Sequence, residues 1–120
     1  MSLKLILPFP PSVNRLWRAS KGGKVYRSDK YTDWRTHARW ALLEQIRGKK
    51  ISGPYTMVLE AVRPDKRQRD LGNLEKAVSD VLQESGAVEN DCLCQEMTLR
   101  WVETGPECLI ILEPYKKSEK

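Results

Sequence analysis

Histidine, phenylalanine and long apolar runs are scarce in this 120-residue chain, which has one His, one Phe and three Cys. A single histidine (His37) and a Cys92-x-Cys94 pair, which lacks the spacing of a zinc knuckle, argue against a structural zinc site. Three cysteines cannot all pair within one chain, so Cys92, Cys94 and Cys108 read as reduced thiols in or near a β core. The longest apolar stretches run only a few residues, as at Leu109 to Leu112, and nothing is long enough to span a membrane. The opening residues Met1 to Pro8 carry one basic residue and a short apolar run cut by proline, with no small-residue cleavage site. That is not a secretory signal, and the expected location is the cytoplasm. Internal repeats, low-complexity tracts and linkers are absent too, so the expectation is one domain over residues 1–120.

What is present is a globular composition, 40% hydrophobic and 31% charged, with four Trp and four Tyr. The net charge of +5 hides a sharper division. Residues 1–69 hold 16 Lys/Arg against 5 Asp/Glu, a net of +11, whereas residues 70–120 hold 5 against 11, a net of −6. A basic half joined to an acidic half suits a polyanion gripped beside a cluster of carboxylates, and nucleic acid with a metal is one such case. Surface charge that merely segregates is the alternative.

Alternation at Leu3, Leu5 and Leu7 predicts a first strand, ended by Pro8-Phe9-Pro10-Pro11. Ser12 to Arg27 reads as irregular, with a turn at Gly22-Gly23. Ser28 can cap a helix in which Trp34, Ala38, Ala41, Leu42 and Ile46 recur at helical spacing before Gly48. Tyr55 to Val62 alternates as a half-buried strand. A second helix runs from about Asn73 to Ser85 on a Leu74, Ala77, Val78, Val81, Leu82 stripe, with Gly86 at C′. Leu93 to Val102 and Glu107 to Leu112 read as a hairpin around Thr104-Gly105-Pro106. The order β-α-β-α-β-β implies an α/β or α+β domain with a mixed sheet and two main helices.

The chemistry concentrates between Arg63 and Asp91. Arg63, Lys66, Arg67 and Arg69 crowd a short loop that leads into Asp70, ahead of a helix carrying Asn73, Lys76 and Asp80 on the side away from its apolar stripe. Asn90-Asp91 lies in the turn before the next strand, and chain reversal can bring Asp91 near Asp70. Carboxylates from two loops, a nearby lysine and basic residues upstream are what metal-assisted phosphodiester cleavage needs. A charged loop followed by a capped helix is also common without any such function.

The run Leu7-Pro8-Phe9-Pro10-Pro11-Ser12-Val13-Asn14-Arg15-Leu16-Trp17-Arg18 resembles the N-terminal signature of RusA-type Holliday-junction resolvases. Asp65-Lys66-Arg67-Gln68-Arg69-Asp70-Leu71-Gly72-Asn73-Leu74-Glu75-Lys76 resembles their active-site segment, and Gly86-Ala87-Val88-Glu89-Asn90-Asp91 continues it. The resemblance implies a homodimeric, Mg2+-dependent endonuclease that nicks opposing strands of four-way junction DNA in recombination and repair. It implies catalytic roles for Asp70, Lys76 and Asp91. Contacts to DNA are expected from Arg15, Arg18, Arg63, Lys66, Arg67, Arg69 and Asn73. Gly72 stands where the family has the second aspartate of an Asp-x-Asp pair, and Asn90 where an acidic residue commonly precedes the last aspartate. The implied metal site is therefore one carboxylate short, and junction binding without cleavage is the alternative reading. Glu75, three residues from Gly72 and on a neighbouring part of the helix surface, is the candidate substitute ligand beside Asp70 and Asp91; favouring the helix N-terminus is its simpler role.

Of the remaining residues, Trp34 is expected in the core, while Trp40, six residues on, is open between core, interface and stacking surface. His37 reads as a surface or boundary residue rather than a general base, and Asp80 as an ion-pair partner for Lys76 at i+4.

Overall fold

The computed structural model describes residues 2–11 and 29–116. The irregular stretch and helix cap expected between Ser12 and Ser28 lie outside the described residues, as do Arg15 and Arg18. The described chain runs β1 (Leu3–Leu7), α1 (Asp29–Ile46), β2 (Tyr55–Val62), α2 (Gly72–Ser85), a 3-10 turn (Asp91–Leu93), β3 (Cys94–Val102) and β4 (Cys108–Pro114). This is an α+β fold with one mixed four-stranded sheet, ordered β1-β4-β2-β3.

Alternation decides which side of each strand is covered. Leu3, Leu5 and Leu7 of β1, Tyr55, Met57, Leu59 and Ala61 of β2, and Cys108, Ile110 and Leu112 of β4 are all buried. Against that face pack Tyr31, Trp34, Ala38, Leu42 and Ile46 of α1 and Leu74, Ala77, Val78, Val81 and Leu82 of α2. The other face of the sheet is open, with Ile6 half exposed and Val58, Leu109 and Ile111 only partly covered. Trp34 belongs to the core as expected, and its Nε1–H donates to the Pro8 carbonyl at 2.9 Å. Gln45 of α1 satisfies the main chain of β1, accepting from the Ile6 N–H and donating to the Ile6 carbonyl, both at 2.7 Å. That covers an edge strand which would otherwise present bare backbone.

The expected hairpin between the last two strands does not form. β4 pairs antiparallel with β1 and with β2, while β3 pairs in parallel with β2 on its far side. β2 and β4, buried at every second position, take the centre of the sheet, and β1, with the same alternation, is an edge whose main chain Gln45 covers. No residue of β3 is buried, and it takes the edge. The short connection after Val102 therefore crosses the end of β2, where the Val62 N–H donates to the Glu107 carbonyl at 3.1 Å. The sulfur expectation also divides. Cys108 is in the core, where burial pushes its thiol pKa up to about 12, Cys94 is half-buried, and Cys92 is exposed on the 3-10 turn.

Candidate active site

β1, β2 and β3 all run the same way, so the chain leaves β2 at the same end of the sheet where β1 and β3 finish. There the basic loop begins. Arg63, Lys66 and Arg67 are exposed and Arg69 is half-buried, and an open groove is lined by Arg63, Gln68, Arg69 and Asp70. The loop is less uniformly positive than its composition suggests. Asp65 accepts from Arg69 Nη2 at 2.8 Å and from the Arg67 N–H at 3.0 Å, and Arg67 Nε lies 3.5 Å from the same carboxylate. The hydrogen bond from Arg69, then the Arg67 N–H, hold the Asp65 carboxyl below its usual range.

Asp70 is exposed at the foot of α2, its Oδ1 accepting the Gly72 N–H at 3.0 Å and its carbonyl accepting the Asn73 N–H at 3.0 Å. The carboxylate thus closes a local turn and satisfies one of the free N–H groups at the helix start. Lys76 lies on the exposed side of α2 and pairs with Asp80 at 3.3 Å, as the i+4 spacing predicts. The hydrogen bond to Asp80 raises the Lys76 pKa, with its charge, Asp91 and Glu75 adding in the same direction, so the ammonium stays protonated. Asp91 opens the 3-10 turn before β3, its N–H donating to Gln83 Oε1 at 2.8 Å. Asn90 caps that turn by accepting from the Cys92 N–H at 3.0 Å.

Glu75 does not reach back toward Gly72. Its carboxylate accepts the hydroxyl hydrogen of Ser79, four residues further along α2, and so satisfies a buried serine. Among the described residues no three His, Cys, Asp or Glu groups stand close enough to hold a metal ion. The expected set of Asp70, Asp91 and Glu75 is accordingly not assembled as a three-carboxylate cage. What Asp70 and Asp91 offer, hard carboxylate oxygens, matches what Mg2+ takes from proteins, one or two carboxylates completed by phosphate oxygens.

Three aromatic residues were not among the residues the sequence singled out for the site. Trp101 of β3 stacks on Phe9, ring centroids 6.2 Å apart, and the Arg63 guanidinium sits 4.5 Å over the Trp101 ring. Tyr55 opens β2 in register with Cys94, and its hydroxyl pKa is pushed up to about 12 by burial, then by Cys94, Asp91 and Glu75. Phe9 and Trp101 meet across the end of the sheet, from segments after β1 and within β3, while Tyr55 lies at the opposite end of β2, so no spacing rule applied to one segment finds these contacts. His37 is exposed on α1, and Trp40 is 68% exposed, which leaves it outside the core.

Comparison with known proteins adds to this geometry. The family model described as endodeoxyribonuclease RusA matches residues 8–113. The chain is 37% identical over 112 residues to the crossover junction endodeoxyribonuclease RusA of Aquifex aeolicus, covering 92% of this chain and 87% of that protein. It is 32% identical over 88 residues to the corresponding protein of Enterobacteria phage HK97, covering 73% and 72%. The Escherichia coli protein of the same name matches at 32% over 82 residues.

Proposed function

The chain belongs to the RusA family of endodeoxyribonucleases, and from that premise we propose that it cuts four-way (Holliday) DNA junctions in recombination and repair. One observation carries the reading on this chain's own residues. The basic loop from Arg63 to Arg69 runs directly into Asp70, and a protonated Lys76 follows on the exposed side of α2 within reach of the Asp91 charge. Arg63, Lys66 and Arg67 grip phosphates, with Arg69 and Asn73 beside them; Arg15 and Arg18, outside the described residues, stay proposed DNA contacts on the resemblance alone. Asp70 and Asp91 hold Mg2+, which when bound neutralises charge on the phosphate and acidifies water. Lys76 stabilises the charge that develops on the cleaved phosphate. Glu75 joins the metal only by leaving Ser79.

The substrate has two symmetric cutting positions and this single domain has one set of these residues, so the working unit is a homodimer related by a two-fold axis. The open sheet face, with Ile6, Val58, Leu109 and Ile111, supplies apolar area that a second copy can cover. Among the described residues no helix is long and apolar enough to cross a membrane, and we place the activity in the cytoplasm.

A second reading, junction binding with impaired cleavage, is favoured by Gly72, which brings no side-chain carboxylate beside Asp70. Incubation of a synthetic four-way junction with the protein, with and without Mg2+, separates the two. Paired nicks that need Mg2+ support the nuclease; a retarded but intact junction supports the binder. Displacement of the junction by an equal mass of linear duplex would overturn both.

A further inference from the structure

Arg63 and Arg69 are the two ends of the basic loop, and both ends rest on one pair of aromatic rings. The Arg63 guanidinium lies 4.5 Å from the centroid of Trp101, and that of Arg69 lies 5.5 Å from the centroid of Phe9. The rings are nearly parallel at 12° with centroids 6.2 Å apart, so they stack as a unit. Phe9 follows β1 and Trp101 lies near the end of β3, the two outer strands of the sheet. Between its ends the loop is held by Asp65, which is itself a loop residue, and those bonds make it cohesive without attaching it to anything. Among the described residues no main-chain hydrogen bond ties residues 63–69 to the sheet or the helices. Arg69 Nε is buried with no hydrogen-bond partner, so that edge of its guanidinium is held by packing alone. A cation over an aromatic face is a directional contact, and here two of them fix the loop at both ends.

We propose that Trp101, stacked on Phe9, is a positioning residue: the ring pair anchors the basic loop and thereby sets where Asp70, the residue directly after Arg69, stands. The consequence for catalysis rests on the role proposed for Asp70; the anchoring itself does not. Trp101→Leu keeps apolar bulk and removes the large π face, and Trp101→Phe keeps an aromatic face. Trypsin cuts after Lys66, Arg67 and Arg69, so the mass-resolved rate of nicking at those bonds reads the loop directly. Trp101→Leu should speed that nicking about tenfold and Trp101→Phe should return it to within about threefold of the parent. Single-turnover junction cleavage should fall and recover in step, at unchanged circular dichroism. Nicking at the parental rate in Trp101→Leu would overturn the anchor. A loosened loop with undiminished cleavage would overturn the positioning role. A parent chain that neither binds nor cuts junctions, while Trp101→Leu still frees the loop, would defeat the proposed function and leave the anchor standing.

Discussion

A Cβ added to Gly72 would stand 3.4 Å from Asp70 Oδ1, in ordinary contact with it, and the Gly72 N–H already donates to that oxygen. Gly72 is not among the glycines with positive φ, so its backbone accepts any L residue. Gly72→Asp should therefore fold and place a second carboxylate beside Asp70 at the N-terminus of α2, where negative charge is favoured. Its expected effect is junction cleavage at a lower Mg2+ concentration, read from a metal titration of the nicking rate. Gly72→Ala, the control, should leave the metal dependence alone and stabilise the helix by about 0.5–1 kcal/mol.

Glu75→Gln tests whether the substitute ligand operates. The Glu75 carboxylate accepts from Ser79, and a glutamine carbonyl can accept the same hydrogen. Stability should change by less than about 0.5 kcal/mol. Cleavage at parental rate and Mg2+ dependence would confine Glu75 to its bond with Ser79; lost cleavage would show that its carboxylate swings onto the metal.

Lys76→Ala should reduce cleavage by about 10²–10³-fold, the scale of removing one charge-stabilising group. Its partner Asp80 is on the surface of the same helix, and exposed i,i+4 pairs contribute about 0.3–0.5 kcal/mol, which alanine's helix propensity offsets. Melting temperature and junction affinity should hold. A melting point lower by several degrees would make the lysine structural.

Junction binding should weaken steeply with salt and need no metal. Neutralising Lys66, Arg67 and Arg69 together should flatten the slope of log affinity against log salt by about 2–3 units, roughly 0.9 for each phosphate left without its cation. Because Asp65 engages Arg67 and Arg69, Lys66 should give the cleanest single effect. An unchanged slope in the triple variant would put the DNA elsewhere.

Alkaline pH should destabilise the fold through Cys108. Its thiol pKa rises from 9.0 unfolded to about 12 folded, so the unfolded chain loses its proton first. The contribution is whole below pH 9 and falls as pH climbs toward 12, by about 2 kcal/mol at pH 10.5. Tyr55, raised from 10.0 to about 12, adds to the fall above pH 10. Urea unfolding at pH 8 and 10.5 should show a smaller drop in Cys108→Ala than in the parent. Equal drops would mean the thiol is not the source.

How much of the molecule is readable from sequence follows from how local each signal is. The two helices are written in their own stripes, Trp34-Ala38-Leu42-Ile46 and Leu74-Val78-Val81-Leu82, and Gly86 ends α2 at φ 87 because a left-handed residue is needed there. Strand β2 is equally plain, since alternation over Tyr55 to Val62 specifies both the strand and its buried side. The Lys76–Asp80 pair is a matter of helical spacing alone. Strand order was beyond such rules: which strand lies beside which depends on competition for the buried centre of the sheet, and β4 displaced β3 from the place a hairpin would give it. The same holds at the candidate site. Sequence brought Arg63, Arg69 and Asp70 into one loop, and the Glu75–Ser79 bond, four residues apart on α2, is again helical spacing, but only the packing of distant segments sets Phe9 and Trp101 beneath that loop. Spacing along one element encodes what that element's own geometry brings together; contacts between residues dozens of positions apart are decided by packing of the whole chain.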